Sequence, residues 1–218
     1  MLHGYLSDKE SFSYQINVFS RYMRVVAVDM TGFGKSVGMK TPYSLDDYVA
    51  EIGRVIDELG VKKVNVLAHS FGARVAVKLA NKDARINKII FTGAAGLKPR
   101  RGIKYILKKA AFNILKKFVD KSRLRSFYSP DYLALSGVMR ESFIKIINEP
   151  LDEEYKKLKN PAIIICGDKD RETPLSAEKR MKKLIGCDLY VLPSTGHFCF
   201  TEKPDEFNGI ALSFLFGR

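Results

Sequence analysis

Cysteine is scarce in this chain. Three residues in 218, Cys166, Cys187 and Cys199, share no CxxC spacing. So sparse and odd a set rules out a disulfide framework as the basis of the fold and offers no zinc-site spacing, which points to a reducing compartment. Also missing is any uninterrupted apolar run of the roughly 20 residues that a membrane span requires. The opening residues Met-Leu-His-Gly-Tyr lack the basic start, apolar stretch and small-residue cleavage site of a secretory signal. A soluble, cytoplasmic protein is expected. No internal repeat or low-complexity tract is visible, and histidine occurs only three times, as His3, His69 and His197.

With 46% apolar residues over 218 positions, the chain can build one core that buries about 70% of the surface its unfolded form exposes. The formal charge of +13 raises the question of a nucleic-acid or membrane partner. Its distribution answers the first half. Eleven basic residues and one acid lie between Lys98 and Arg125, leaving a net +3 on the rest of the chain. Basicity confined to one element does not describe a surface that tracks phosphates, so nucleic acid is not expected as a partner.

Short β-branched runs alternate with segments of helical period, the pattern of a parallel sheet covered by helices. Arg24 to Val28, Val64 to Leu67, Ile89 to Phe91, Ala162 to Ile165 and Leu189 to Leu192 read as strands. They scarcely alternate with polar residues, as expected of strands buried on both faces. Between them Val49, Ile52, Val55, Ile56 and Leu59 mark one face of a helix opened by Asp46 or Asp47 and closed by Gly60. Val75, Val77 and Leu79 belong to a second helix, and Phe207 to Leu215 to a C-terminal one. The expected fold is therefore α/β, a mostly parallel, doubly wound sheet formed by residues 1–96 and 151–218. Residues 97–150 break the rhythm with two successive helical patterns and are expected to form an inserted helical cap. Within it, Ile103 to Phe118 reads as an amphipathic helix with lysines on its polar face. Its apolar face is read as the roof of a pocket; the other reading is a weak membrane-surface contact.

Three short motifs carry the chemistry. Ala68-His69-Ser70-Phe71-Gly72 follows a strand and opens a helix, a turn that lifts a serine hydroxyl to the sheet edge and points helix N-terminal amides toward it. Read on its own, the same serine could simply cap the helix. Gly167-Asp168-Lys169-Asp170 follows the strand Ala162 to Cys166 and puts carboxylates on the same sheet edge, where α/β folds build their sites. Either aspartate could serve, or the segment could be a solvated turn. Ser194-Thr195-Gly196-His197 follows the last strand and offers a base. The chain order of serine, aspartate and histidine at successive strand ends is that of one serine-hydrolase fold and not of the others.

These motifs, with His3-Gly4-Tyr5 and Asp29-Met30-Thr31-Gly32-Phe33-Gly34-Lys35-Ser36, resemble those of α/β-hydrolases with a helical cap over nearly the whole chain. That group holds esterases and carbon–carbon bond hydrolases. The resemblance implies Ser70 as nucleophile, His197 as general base and Asp170 as the orienting acid, since the family places its acid three residues after the glycine. It implies backbone amides of Tyr5 and Phe71 as the oxyanion hole, a small, partly apolar substrate, and no metal or organic cofactor. The alternative is a hydrolase-fold protein that binds a ligand with little turnover. The resemblance also implies a strand body before His3, between Arg24–Val28 and Val64–Leu67. Two apolar residues cannot supply it, so about 20 to 35 upstream residues with a β-type run are expected of the functional protein.

Overall fold

The computed structural model describes residues 1–98, 135 and 137–217. Strands β1 (Val64–His69), β2 (Ile86–Thr92), β3 (Ala162–Gly167) and β4 (Asp188–Leu192) pair in parallel in chain order. The described helices are α1 (Ser13–Phe19), α2 (Leu45–Leu59), α3 (Phe71–Ala80), α4 (Gly137–Ile147), α5 (Asp152–Lys157), α6 (Leu175–Ile185), α7 (Cys199–Glu202) and α8 (Pro204–Phe216).

Continuous apolar strands need cover on both faces, and they have it. Ile163 and Ile165 of β3 pack in a layer with Phe12, Phe19, Phe207 and Ala211, beneath α1 and α8. Ala162 and Ile164 point the other way, into a layer with Ile52 of α2, Val75 of α3 and Met181 of α6. Each fully buried Ile or Phe contributes about 1.5–3 kcal/mol of transfer free energy. The period-2 geometry of a strand thus turns one apolar run into two cores. The sequence expectation of a parallel sheet wound on both sides is met.

Two local expectations are corrected. Helix α2 is opened two residues before the first of its aspartates. Its cap is Ser44, whose hydroxyl accepts the Asp47 amide at 3.3 Å while the Asp47 carboxylate accepts the Ser44 amide at 2.7 Å. This reciprocal pair satisfies two amides that the first turn would otherwise leave without acceptors. Gly60 closes the helix as expected, in the left-handed conformation at φ 61°.

The second correction concerns Arg24–Val28, which is no strand. Only Val28 forms a bridge, to Leu2, and Leu2 bridges Ala68 on its other side, both in parallel. Leu2 thus occupies the position between those two segments, as the sequence implied. Its ladder is one residue long. Further back, Val25 and Val26 face Asn65 to Leu67 across a cleft of about 60 Å³ lined by Met1, Phe19, Met23 and Leu215. Met1 gives its amino group to the Val26 carbonyl at 2.7 Å and accepts the Val28 amide at 3.4 Å, which is too little pairing to make Arg24–Val28 a strand.

The basic helix expected at Ile103 to Phe118, and most of the proposed 97–150 insertion, lie outside the described residues. Helix α4 falls within that range. Among the described residues no helix is long and apolar enough to cross a membrane.

Candidate active site

Ser70 is the hinge between β1 and α3, with φ 50° and ψ −108°. A non-glycine residue in such a conformation costs of order 1–3 kcal/mol and persists only where its surroundings over-determine it. Here they do. The Ser70 amide donates to the Thr92 carbonyl at 3.0 Å, and its carbonyl accepts the Ala73 and Ala95 amides at 3.1 and 3.3 Å. As the residue preceding α3 it could have capped the helix, yet its side chain makes no capping hydrogen bond. The hydroxyl is held out of helix capping, and the bland reading of this serine loses its basis.

Gly72 shows why the turn needs a glycine two residues on. A Cβ there would stand 2.2 Å from the Leu2 carbonyl oxygen and 2.9 Å from that of His3. The first turn of α3 therefore lies directly on the backbone of the His3–Tyr5 loop. Ala68 takes the place of the more usual first glycine, and its single methyl is fully buried. Gly72→Ala is expected to cost about 1–3 kcal/mol through overpacking against backbone that cannot yield. For a chain of this size that is a fall of roughly 2–12 °C in melting temperature by circular dichroism. An unchanged melting temperature would mean that the two segments are not packed in this way.

The His3–Tyr5 loop is fixed by its own histidine. His3 is buried, its Nε2 accepts the Met30 amide at 3.1 Å, and its Nδ1 therefore carries the proton directed at the Gly4 carbonyl at 2.7 Å. Burial, only partly opposed by that carbonyl, lowers its pKa. His3 thus acts as a neutral bolt between this loop and the Asp29–Ser36 loop. Asp29 tightens the second loop by accepting the Lys9 and Lys35 amides at 2.8 and 3.0 Å. Phe71 opens α3, where backbone amides have no intrahelical acceptor. Around them Tyr5 stacks edge-on with Phe33 and Phe71 at 4.8 and 5.3 Å and meets Phe143 of α4 at 5.0 Å. The Tyr5 hydroxyl donates to the Met139 carbonyl at 3.0 Å, which ties α4 over the site.

On the opposite side, Asp170 and His197 come together. His197 Nδ1 lies 2.8 Å from Asp170 Oδ2. Asp168, the rival acid, is exposed. Asp170 is 4% exposed, and its loop wraps it in donors: the Glu172 and Thr173 amides reach Oδ1 at 2.8 and 2.9 Å, and the Thr173 hydroxyl reaches Oδ2 at 2.7 Å. Burial alone would raise the carboxyl's pKa. The His197 and Thr173 hydrogen bonds, with the charge of His197, outweigh it and hold the pKa below the ordinary carboxylate value.

His69 is not part of this chemistry. Burial first and His197 second push its pKa down to about 3, and its Nε2 meets the His197 carbonyl at 3.1 Å. It pins the backbone of His197 from below, ring against ring at 4.6 Å.

Three contacts were not foreseen in the sequence: Thr173 on Asp170, Glu178 on the Ala94 amide at 2.7 Å, and Glu172 on His197. A threonine three residues beyond an aspartate and just before Pro174 is a recognisable turn signal and could have marked the first. Nothing in the spacing marks the other two. The Glu172 carboxylate lies 3.2 Å from His197 Nε2, the nitrogen that would face a nucleophile, and among the described residues no hydrogen bond joins Ser70 Oγ to His197.

Comparison with known proteins places this geometry in context. Residues 1–210 match the model of the alpha/beta hydrolase family. The AB hydrolase superfamily protein YisY of Bacillus subtilis is 26% identical over 98% of this chain and 89% of its own length. The 2-hydroxy-6-oxo-6-(2'-aminophenyl)hexa-2,4-dienoic acid hydrolase of Metapseudomonas resinovorans is 24% identical over 100% of this chain and 83% of its own. Among solved structures, the esterase EaEST of Exiguobacterium antarcticum superposes with a TM-score of 0.78 at 25% identity, covering 99% of this chain and 90% of the esterase.

Proposed function

From the premise that the chain belongs to the alpha/beta hydrolase family, we propose that it is a serine hydrolase in which Ser70 attacks, His197 takes the proton and Asp170 orients the base. The observation that carries this is the buried Asp170–His197 hydrogen bond of 2.8 Å on the same sheet edge as the strained, uncapped Ser70.

A serine hydroxyl is a weak nucleophile, so the imidazole must accept its proton during attack and return it to the leaving group. With Nδ1–H directed at Asp170, Nε2 carries the lone pair that does this. The Tyr5 and Phe71 amides are proposed to meet the oxyanion, each worth roughly 3 kcal/mol in comparable enzymes. The aromatic wall of Tyr5, Phe33, Phe71 and Phe143 suits a small, partly apolar acyl or vinylogous group. An ester, or a carbon–carbon bond next to a carbonyl, is the proposed target, in keeping with the esterase and dienoic acid hydrolase among its relatives. Residues 97–150 are proposed as the cap, with α4 as its described part. The decisive experiment is labelling with a fluorophosphonate probe, which reacts only with an activated serine. Labelling of the parent and none of Ser70→Ala is expected. An unlabelled parent overturns the reading.

A second reading, a protein that keeps the fold and binds with little turnover, draws on the Glu172 contact. A carboxylate against Nε2 is favourable only when that nitrogen is protonated, a form that cannot accept the serine proton. Glu172 is mostly exposed, and exposed ion pairs are worth about 0.2–1 kcal/mol, so the contact would be a weak brake, not a block. Glu172→Gln is expected to raise kcat/KM by up to about fivefold, the most that an exposed pair of this kind is worth. A variant no faster than the parent would remove Glu172 from the account, and no turnover from either protein would favour the binding reading.

A further inference from the structure

Glu178 sits in the first turn of α6 and is fully buried. Its Oε1 accepts the Ala94 amide at 2.7 Å, while Oε2 has no hydrogen-bond partner among the described residues. The segment it holds matters. Ala94 follows Gly93, whose backbone supports the His197 ring so closely that a Cβ there would stand 3.0 Å from Nδ1 and Cε1. Ala95, the next residue, gives its amide to the Ser70 carbonyl at 3.3 Å. Residues 93–95 therefore touch both Ser70 and His197, and Glu178 ties them to α6.

On its other flank lies the Thr173–Asp170 pair, with no hydrogen bond from Oε2 to it among the described residues. Thr173 directs its hydroxyl at Asp170 Oδ2 at 2.7 Å. A hydroxyl has one proton, so once it is given to Asp170 none is left to stabilise a Glu178 carboxylate. A fully buried carboxylate with one unpartnered oxygen is costly, whereas the carboxylic acid is not. We propose that Glu178 is a positioning residue for Ser70 and His197 that acts as a neutral acid, fixing residues 93–95 through Oε1 beside the Thr173–Asp170 pair. The inference rests on the serine-hydrolase reading above.

The surroundings agree with a neutral acid. Burial raises the carboxyl's pKa, the Ala94 amide opposes, the charge of Asp170 adds to the rise and Thr173 opposes least, which leaves it at about 8. The titratable groups that face Glu178 are Asp170, Tyr155 and the thiols of Cys166, Cys187 and Cys199. Burial raises the tyrosine and the three thiols, so they stay neutral and Asp170 is the charge that Glu178 meets. Ionising Glu178 would place a second anion beside Asp170 and draw the Thr173 proton away from it. The base would then lose part of what orients it.

The test compares the parent chain with Glu178→Gln and Glu178→Ala on an activated ester from about pH 6 to about pH 10, with melting temperatures and fluorophosphonate labelling on the same samples. The parent's kcat is expected to fall with one ionisation near pH 8. Glutamine can accept from Ala94 and stays uncharged at every pH, so that variant should stay within about threefold of the parent at neutral pH and lack the alkaline fall. Alanine should lose about tenfold or more in kcat with KM little changed. A glutamine variant that keeps the alkaline fall, or an alanine variant as fast as the parent, overturns the proposal. If the alanine variant does not fold, the glutamine profile decides alone. Should the parent itself resist labelling, the hydrolase reading fails and the melting curves still judge the proton on Glu178. A folded-state pKa above the ordinary value of 4.5 means that stability falls as pH rises from 4.5 toward 8. The parent should therefore lose melting temperature relative to the glutamine variant over that interval, and parallel curves refute the neutral acid.

Discussion

Ser70→Ala is expected to lower turnover of an activated ester by at least about 10³-fold while the fold survives. The chemical half follows from the role proposed for the hydroxyl, which supplies the attacking atom. The stability half follows from the structure, since the side chain makes no capping bond and alanine retains everything that packs. Backbone hydrogen bonds to Thr92, Ala73 and Ala95 hold the turn whatever the side chain. The measurement is steady-state hydrolysis alongside a thermal melt. More than a tenth of the parent's rate in the variant would remove Ser70 as nucleophile. A collapse of the melting temperature would show that the hydroxyl is structural after all.

Nearly as large an effect is expected from Asp170→Asn, a loss of up to about 10⁴-fold in kcat, against a change within about twofold for Asp168→Asn. An asparagine amide facing His197 Nδ1 can present its N–H₂, which selects the wrong tautomer and puts the ring proton on Nε2. Asp168 is exposed, and among the described residues no hydrogen bond links its side chain to His197. A reversed ranking would transfer the acid's role to Asp168. The charge of Asp170 also makes a claim about stability. Because its folded-state pKa is lowered, its stabilisation is present above the unfolded carboxylate value and is lost as pH falls through the lowered one. Between the two values the parent should therefore lose melting temperature faster than Asp170→Asn as the medium is acidified.

Much of the fold was legible because it is written in local chemistry. The run Ala162 to Ile165 is apolar at every position, and only a strand covered on both faces can use such a run. Gly60 ends α2 because left-handed backbone favours glycine. Ser70, Asp170 and His197 could be named because each follows a strand and the order of the three is informative. Arg24 to Val28 misled for the converse reason. Its composition suits a strand, but a strand is a relation between two segments, and its neighbour in the sheet offers one paired residue, Leu2.

The sequence by itself determined the parallel α/β architecture, the serine turn and the two loops that carry an acid and a base, since periodicity, glycine placement and residue order are properties of neighbours in the chain. Tertiary structure alone buried Asp170 against His197 and left Asp168 exposed, and it made His3 a structural bolt and His69 a support for His197. It also set Glu172 against Nε2 and buried Glu178 behind Asp170, although neither glutamate differs in sequence from those on the surface. A carboxylate's charge, donors and reach depend on which distant segments exclude water from it, and that exclusion exists only once the sheet has brought the ends of β1, β2, β3 and β4 to one edge.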